Sequence, residues 1–350
     1  MPDDLPKIHR GKRNKPSESN FCQQRLSAWR PLLTAKCIYP VFILIGSAFI
    51  VLGIFLYLGA THAKEVVIPY TNCLTAGQKM AKHVLNTRLP HGPICEYTVI
   101  LSEPFLGDVT FYYGLSHYYQ NSRQYIRSRN DVQLAGTINS VDDCEPFQYD
   151  NSTGNPIPIV PCGSVANSMF NDTFSMTYSG ENDTVVEVPF SANNVVRPYE
   201  YRKYHNPHLN NQTLCDRLQN TSKPRDWQKS ICELGNDDTK YGFENVDFIV
   251  WMNTAPLPDF RKIYRTLERN TSGGVFEHGL PAGNYSVRIT YNYNVTEYNS
   301  EKSFIIAMTS WSGPKNYFLG IAYMTVGLFL FLLGCGLIVY ECINRKTKYA

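Results

Sequence analysis

Two long runs of uncharged, mostly aliphatic residues, 37–60 and 316–340, frame a middle stretch that breaks into short patterned segments. At about 1.5 Å per residue, each run exceeds the roughly 30 Å of a bilayer's hydrocarbon core. The pattern predicts two membrane-spanning helices. A cleavable signal peptide is the competing reading of the first run, but an h-region is shorter and does not follow a long basic tail. Between the runs, residues 65–70, 96–101 and 108–113 are rich in β-branched and aromatic residues and read as strands. Residues 284–295 alternate, with Tyr285, Val287, Ile289, Tyr291, Tyr293 and Val295 on one side and polar residues on the other, the signature of a half-buried strand. Residues 303–311 follow as its expected partner. Residues 244–252, which end in the apolar run Phe248–Met252, read as a buried-type strand. Phe260, Ile263, Tyr264 and Leu267 then recur at helical spacing behind a capping Asp259. Helical spacing also marks 115–129, with Arg123 and Arg127 in a basic row four apart that is either solvated or turned toward an acidic partner. The expected fold is a two-helix membrane hairpin carrying a β-rich, antiparallel, sandwich-like α+β ectodomain.

Charge orients the hairpin. The tail before residue 37 carries Lys7, Arg10, Lys12, Arg13, Lys15, Arg25, Arg30 and Lys36, and the second run ends in Arg345, Lys346 and Lys348. The positive-inside rule then leaves both ends in the cytosol. The expected organisation is a cytosolic tail (1–36) with an interfacial stretch around Trp29, a span (37–60), an ectodomain (61–315), a second span (316–340) and a short tail (341–350). Residues 1–20 read as disordered. Eight Asn-x-Ser/Thr sequons, at Asn151, Asn171, Asn182, Asn211, Asn220, Asn270, Asn284 and Asn294, all fall between the spans, on the glycosylated side of such a topology. Six of the ten cysteines, Cys73, Cys95, Cys144, Cys162, Cys215 and Cys232, lie there too. An even number in an oxidising compartment implies disulfides. Sequence alone does not choose the pairing, but joining neighbours in chain order closes the shortest loops. Zinc is the alternative, without a C-x-x-C to support it. A net charge of +3 on 350 residues, concentrated in the tails, suits an anionic membrane surface and gives no reason to expect nucleic acid.

Candidate chemistry is sparse. His205 and His208 are close, but the intervening Pro207 prevents a regular helix from aligning them, and no third ligand is evident. The remaining histidines match no catalytic spacing, and no G-x-S-x-G, Walker or H-E-x-x-H pattern occurs. Catalysis is therefore not expected, no cofactor is implied, and neither span holds an ionisable residue for transport. What the spans do hold is small residues seven apart, Gly46, Gly53 and Ala60 in the first and Gly320, Gly327 and Gly334 in the second. Such stripes permit close helix packing, although glycine is also common in membrane helices generally.

Six segments carry a family resemblance. They are Gln23-Gln-Arg-Leu-Ser-Ala-Trp-Arg-Pro; Phe111-Tyr-Tyr-Gly-Leu continuing through Tyr119-Gln-Asn-Ser-Arg to Ser128-Arg; Cys144-Glu-Pro; Pro161-Cys-Gly-Ser-Val-Ala-Asn-Ser-Met-Phe-Asn-Asp-Thr-Phe; Asp247-Phe-Ile-Val-Trp-Met with Leu257-Pro-Asp-Phe-Arg-Lys-Ile-Tyr; and Asn316-Tyr-Phe-Leu-Gly. In this order they resemble the accessory β-subunits of type IV P-type ATPases, the phospholipid flippases. The resemblance implies a non-catalytic subunit that forms a heterodimer with the catalytic α-subunit, contacts membrane lipids, assists exit from the endoplasmic reticulum and supports the pump's phosphorylation cycle. It also implies a disulfide between Cys144 and Cys162, an N-terminal cysteine group at Cys73 and Cys95, and a glycan on Asn171. Cys215 and Cys232 have no counterpart in it. Resemblance and charge pattern together mark Gln24, Arg25, Trp29, Tyr119, Arg123, Arg127, Arg129, Trp251, Gly320, Gly327 and Gly334 as candidate partner contacts. Two positions depart from the family pattern: Asn253, where an Arg usually follows Trp-Met, and Asn294, where a Pro usually follows Tyr-Asn-Tyr. Lys346 and Lys348 are placed like a dilysine retrieval address, or are ordinary positive-inside flanks. A stand-alone glycosylated receptor or adhesion protein is the alternative reading.

Overall fold

The computed structural model describes residues 19–26, 35–73, 93–152, 154–180, 184–209, 211–269, 274–295 and 299–349. The chain divides into two compact units, Met1–Phe55 with Leu319–Ala350, and Leu56–Phe318.

The first unit is a pair of helices, belonging to α1 (Ala35–His62) and to the last helix (Phe318–Tyr349). Both helices are long and apolar enough to span a bilayer. Their small residues meet each other. A Cβ placed on Gly46 would lie 2.8 Å from the Gly327 carbonyl oxygen, and one on Gly327 would lie 2.8 Å from that of Gly46. Gly53 faces Met324 and the Gly320 carbonyl, and Gly334 faces Ile43 and Tyr39. Without water to drive association, this backbone-to-backbone approach supplies the packing. The ring of Phe49 meets that of Tyr323 at 5.3 Å, and Lys36 lies 3.7 Å from Glu341.

The second unit is built on two antiparallel sheets. Its principal strands are β1 (Lys64–Pro69), β2 (Ile94–Leu101), β3 (Val109–Ser116), β4 (Thr173–Ser179), β5 (Val185–Glu187), β6 (Phe190–Ser191), β7 (Phe260–Leu267), β8 (Gly283–Thr290) and β9 (Glu301–Met308). One sheet runs β1-β9-β3-β7-β6 and the other β2-β8-β4-β5. Alternation sets the register: Tyr113 and Phe111 of β3 stand opposite Phe304 and Ile306 of β9, and Met176 of β4 stands opposite Val287 of β8. Phe174 of the second sheet meets Phe304 of the first at 4.6 Å, so the sheets share one aromatic core. The fold class expected from sequence is the one observed. Disulfides join Cys73 to Cys95, Cys144 to Cys162 and Cys215 to Cys232, neighbours in chain order.

Four local expectations are corrected. Residues 246–252 form a helix, α3 (Val246–Met252), capped by Asn245, whose side chain accepts from the Phe248 amide at 3.0 Å. It is buried on nearly every side, so its run lacks an amphipathic period, and a short apolar run does not distinguish helix from buried strand. Residues 260–267 form β7, not a helix. A bulge between Ile263 and Arg265 shifts the register, so the buried positions are Lys262, Arg265 and Leu267, and of the four apolar residues at helical spacing only Leu267 is buried. The expected helix over 115–129 is mostly not helical: β3 runs to Ser116, residues 117–122 are turn and irregular backbone, and only the short α2 (Arg123–Arg127) is helical. Finally, β9 does not pair with β8. The Asp172 carboxylate accepts the amides of Asn292 and Tyr293 at 2.7 Å each, which ends the β8 ladder and lets the chain cross to the other sheet. The alternation expected over 284–295 does hold in burial, with Tyr285, Val287, Ile289, Tyr291 and Val295 inside and Asn294 exposed.

Candidate partner-binding surface

The basic row is built by anchoring a one-turn helix from beneath. Ser122 caps α2, accepting from the Tyr125 amide at 3.3 Å. At the other end, buried Ser128 donates to the Glu145 carbonyl at 2.6 Å and accepts from the Ser164 amide at 2.8 Å. Tyr125 points inward, its hydroxyl 2.8 Å from that of Ser168, and burial pushes its ionisation well above the usual phenol range. Buried Gln120 accepts from the Ala255 amide at 2.9 Å. With these groups turned in, Tyr119, Arg123, Ile126 and Arg127 turn outward; Tyr119 is 61% exposed. Arg123 and Arg127 line a groove of about 570 Å³ with Asp143 and Glu145 among its other walls. Neither arginine makes an ion pair within 4.0 Å among the described residues. An exposed arginine pair without an internal partner keeps its full capacity for bidentate contact with carboxylate or phosphate.

Other expected contact residues are spent inside the fold. Arg129 donates to the Met252 carbonyl at 3.1 Å and pairs with Asp131 at 2.9 Å. Trp251 is fully buried, its indole donating to the Val165 carbonyl at 2.7 Å and its ring 5.9 Å from Tyr118. Gly320, Gly327 and Gly334 face the chain's own first helix. Gln24 and Arg25 lie on an exposed turn, where the Arg25 amide donates to the Asn20 carbonyl at 2.7 Å. Trp29 lies outside the described residues, as do sequons Asn182 and Asn270. The other six sequon asparagines are exposed. Asn253, at the end of α3, donates to the Glu200 carboxylate at 3.0 Å, so this departure from the family pattern still makes a polar contact there.

The ionised groups buried behind this surface were not anticipated. Lys302 and Asp172 have fully buried side chains 2.6 Å apart, in a setting made by Tyr70, whose hydroxyl donates to Asp172 at 2.9 Å, and by the Tyr291 ring 3.2 Å from the ammonium. Burial lowers the Lys302 pKa to about 8, against the opposing pull of Asp172. Lys302 shares the inward period of Phe304 and Ile306, the one signal that could have found it. Lys262 donates to the carbonyls of Val250, Trp251 and Asn253 at 3.0, 2.7 and 2.7 Å, placing a cation at the carbonyl end of α3. Burial lowers its pKa well below the usual lysine value. Arg265 forks onto Asp247 at 2.5 and 2.9 Å. Burial opposes its charge, and the carboxylate more than offsets that. All three are structural by their contacts. Among the described residues no group of three or more His, Cys, Asp or Glu is placed to hold a metal, and His205 and His208 are both exposed.

A family model described as LEM3 (ligand-effect modulator 3) family / CDC50 family matches residues 56–347. Cell cycle control protein 50A of Bos taurus is 39% identical over 342 residues, covering 96% of this chain and 91% of the relative. Cell cycle control protein 50B of Homo sapiens is 40% identical, covering 93% of each. ALA-interacting subunit 3 of Arabidopsis thaliana is 31% identical, covering 95% of this chain and 88% of the relative.

Proposed function

The chain belongs to the LEM3/CDC50 family, and from that premise we propose that it is a non-catalytic accessory subunit of a type IV P-type ATPase, a phospholipid flippase, with which it forms a heterodimer. The observation that carries this reading is the exposed pair Arg123 and Arg127, held on a short helix anchored to the fold through Tyr125 and Ser128. Such a surface is rigid before binding, which lowers the entropy cost of docking on an acidic loop. A relative named as an interacting subunit supports the same reading.

In this proposal both tails are cytosolic, and the disulfide-bonded, glycosylated ectodomain is lumenal or extracellular. The subunit accompanies its pump from the endoplasmic reticulum through the Golgi and endosomes to the plasma membrane, and supports the pump's phosphorylation cycle and aminophospholipid translocation. It does so by binding some pump conformations better than others, because only differential affinity shifts an equilibrium. Purification of the full chain in mild detergent, followed by mass spectrometry, tests the assignment. A stoichiometric multi-span P-type ATPase is expected, and recovery of the chain alone would favour a receptor or adhesion protein. Equal affinity for trapped outward-open and phosphate-occluded pump would sink the mechanism while leaving the partnership standing.

A further inference from the structure

A cleft of about 740 Å³ opens in the ectodomain between the start of β4, the end of β8 and the loop at 226–230. Its size is in the range of roughly 300–1,000 Å³ that holds a compact organic ligand. Asn171 and Thr173, the two recognition residues of one sequon, both line it and are both exposed. Among the described sequon asparagines, only Asn171 lines this cleft. We infer that the N-glycan carried by Asn171 folds back into the cleft, so that its first two N-acetylglucosamine units are a built-in ligand of the ectodomain.

Three observations carry this inference. The attachment point is rigid: the Asn171 carbonyl accepts from the Asn292 side chain at 3.0 Å, and the next residue is the buried Asp172, held by four donors. A sugar leaving such a point starts at the cleft's mouth. The lining has carbohydrate-binding chemistry. Half-buried Trp227 offers aromatic surface for the apolar face of a pyranose, and exposed Asp226 and Gln228 offer polar groups for hydroxyl and acetamido groups. The Trp227 indole N–H is already committed to the Ala166 carbonyl at 2.8 Å, and the Asp226 carboxylate to the Asn167 side chain at 2.6 Å, so both side chains are pre-positioned. The tether removes the demand for affinity, since a covalently linked ligand works at an effective concentration of order millimolar. A seated glycan core would bridge the 226–230 loop to the ends of β4 and β8, acting as a staple.

The first measurement needs no variant. The full chain is expressed without a partner, with mannose trimming blocked so that every glycan stays sensitive to an endoglycosidase cutting between the first two sugars. Release is followed at each asparagine by glycopeptide mass spectrometry. Release at Asn171 is expected to be at least ten-fold slower than at Asn151, Asn211 and Asn220 in the native protein and equal to them after denaturation. Equal native rates, or an unmodified Asn171, would overturn the inference. A second measurement compares amide hydrogen exchange of the 224–231 peptide in the natural protein and in Thr173→Ala, which lacks the sequon. Exchange at least five-fold faster without the sugar is expected, and unchanged exchange would overturn the staple.

Discussion

Replacing Lys302 by Met strands a carboxylate in the centre of the sandwich. Both side chains of the Lys302–Asp172 pair are inaccessible to solvent. The ammonium has Asp172 at 2.6 Å, the Tyr293 carbonyl, and the rings of Tyr291 and Tyr70 at 3.2 and 5.0 Å. With Lys302 gone, Asp172 keeps the Tyr70 hydroxyl and two backbone amides but loses its only charged partner among the described residues. Breaking one side of such a pair costs about 3–5 kcal/mol. For a unit of this size that is a fall in Tm of roughly 6–20 °C. Asp172→Asn alone is expected to cost a similar amount, because it leaves the cation uncompensated. Lys302→Met with Asp172→Asn should recover about 2 kcal/mol relative to the sum, since the amide oxygen can still accept a backbone N–H. The pH dependence has a definite sign. Folded Lys302 titrates near 8 and the unfolded side chain near 10.5, so between these values the unfolded chain binds more protons and this group makes stability rise with pH. Above about pH 10 the buried tyrosines Tyr70 and Tyr113, whose pKa values burial raises, pull the other way. The assay is thermal unfolding of the full chain in detergent at fixed scan rate, from pH 7 to 9.5, for the natural protein, both single variants and the double variant. A Lys302→Met protein melting within about 2 °C of the natural one, a shift worth under about 1 kcal/mol, would refute the reasoning. So would an unchanged difference between the two across that pH range.

Other predictions follow from separate parts of the molecule. Arg123→Glu with Arg127→Glu should cut co-purification of the partner ATPase at least ten-fold while moving stability by no more than about 0.5 kcal/mol per site, as exposed positions do; retained complex would remove these arginines from the interface. Gly327→Leu should separate the paired helices, whose backbones leave no room for a Cβ at that position, at about 1–3 kcal/mol by analogy with overpacking; an unshifted melting transition would show the packing to be loose. Asn253→Arg should exchange an uncharged amide donor to the Glu200 carboxylate for an exposed ion pair and gain at most about 1 kcal/mol, with the gain lost in 1 M salt. Cys144→Ser should cost about 2–5 kcal/mol and lower the yield of mature protein; normal yield and melting would make that bridge dispensable.

Much of the fold was legible because its signals are local. The spans need only composition over twenty or more residues. The strands around 65–70 and 96–101 need only β-branched and aromatic composition, and the one over 284–290 only alternation against one buried face. The reading failed at 246–267, where a helix buried all round had no period to show and a bulged strand showed a false one. At the candidate surface, charge spacing found Arg123 and Arg127. Arg129 and Trp251 belong to the same kind of sequence text, yet they turn inward, because a one-turn helix and a short capped segment reverse direction within a few residues. The glycine stripes were visible as an interface without saying whose, and the answer is each other.

From sequence alone came the two apolar spans, the basic character of the tails, the cysteine count, the sequons and the β-rich character of the middle, since each depends on what a residue is and on its near neighbours. Tertiary structure alone decided that β8 and β9 lie in different sheets, that Lys302 meets Asp172, and that the Asn171 sequon opens onto a cleft. The physical reason is chain separation: Lys302 and Asp172 are 130 residues apart, and only the closed sandwich makes a buried charge affordable by bringing its partner to it.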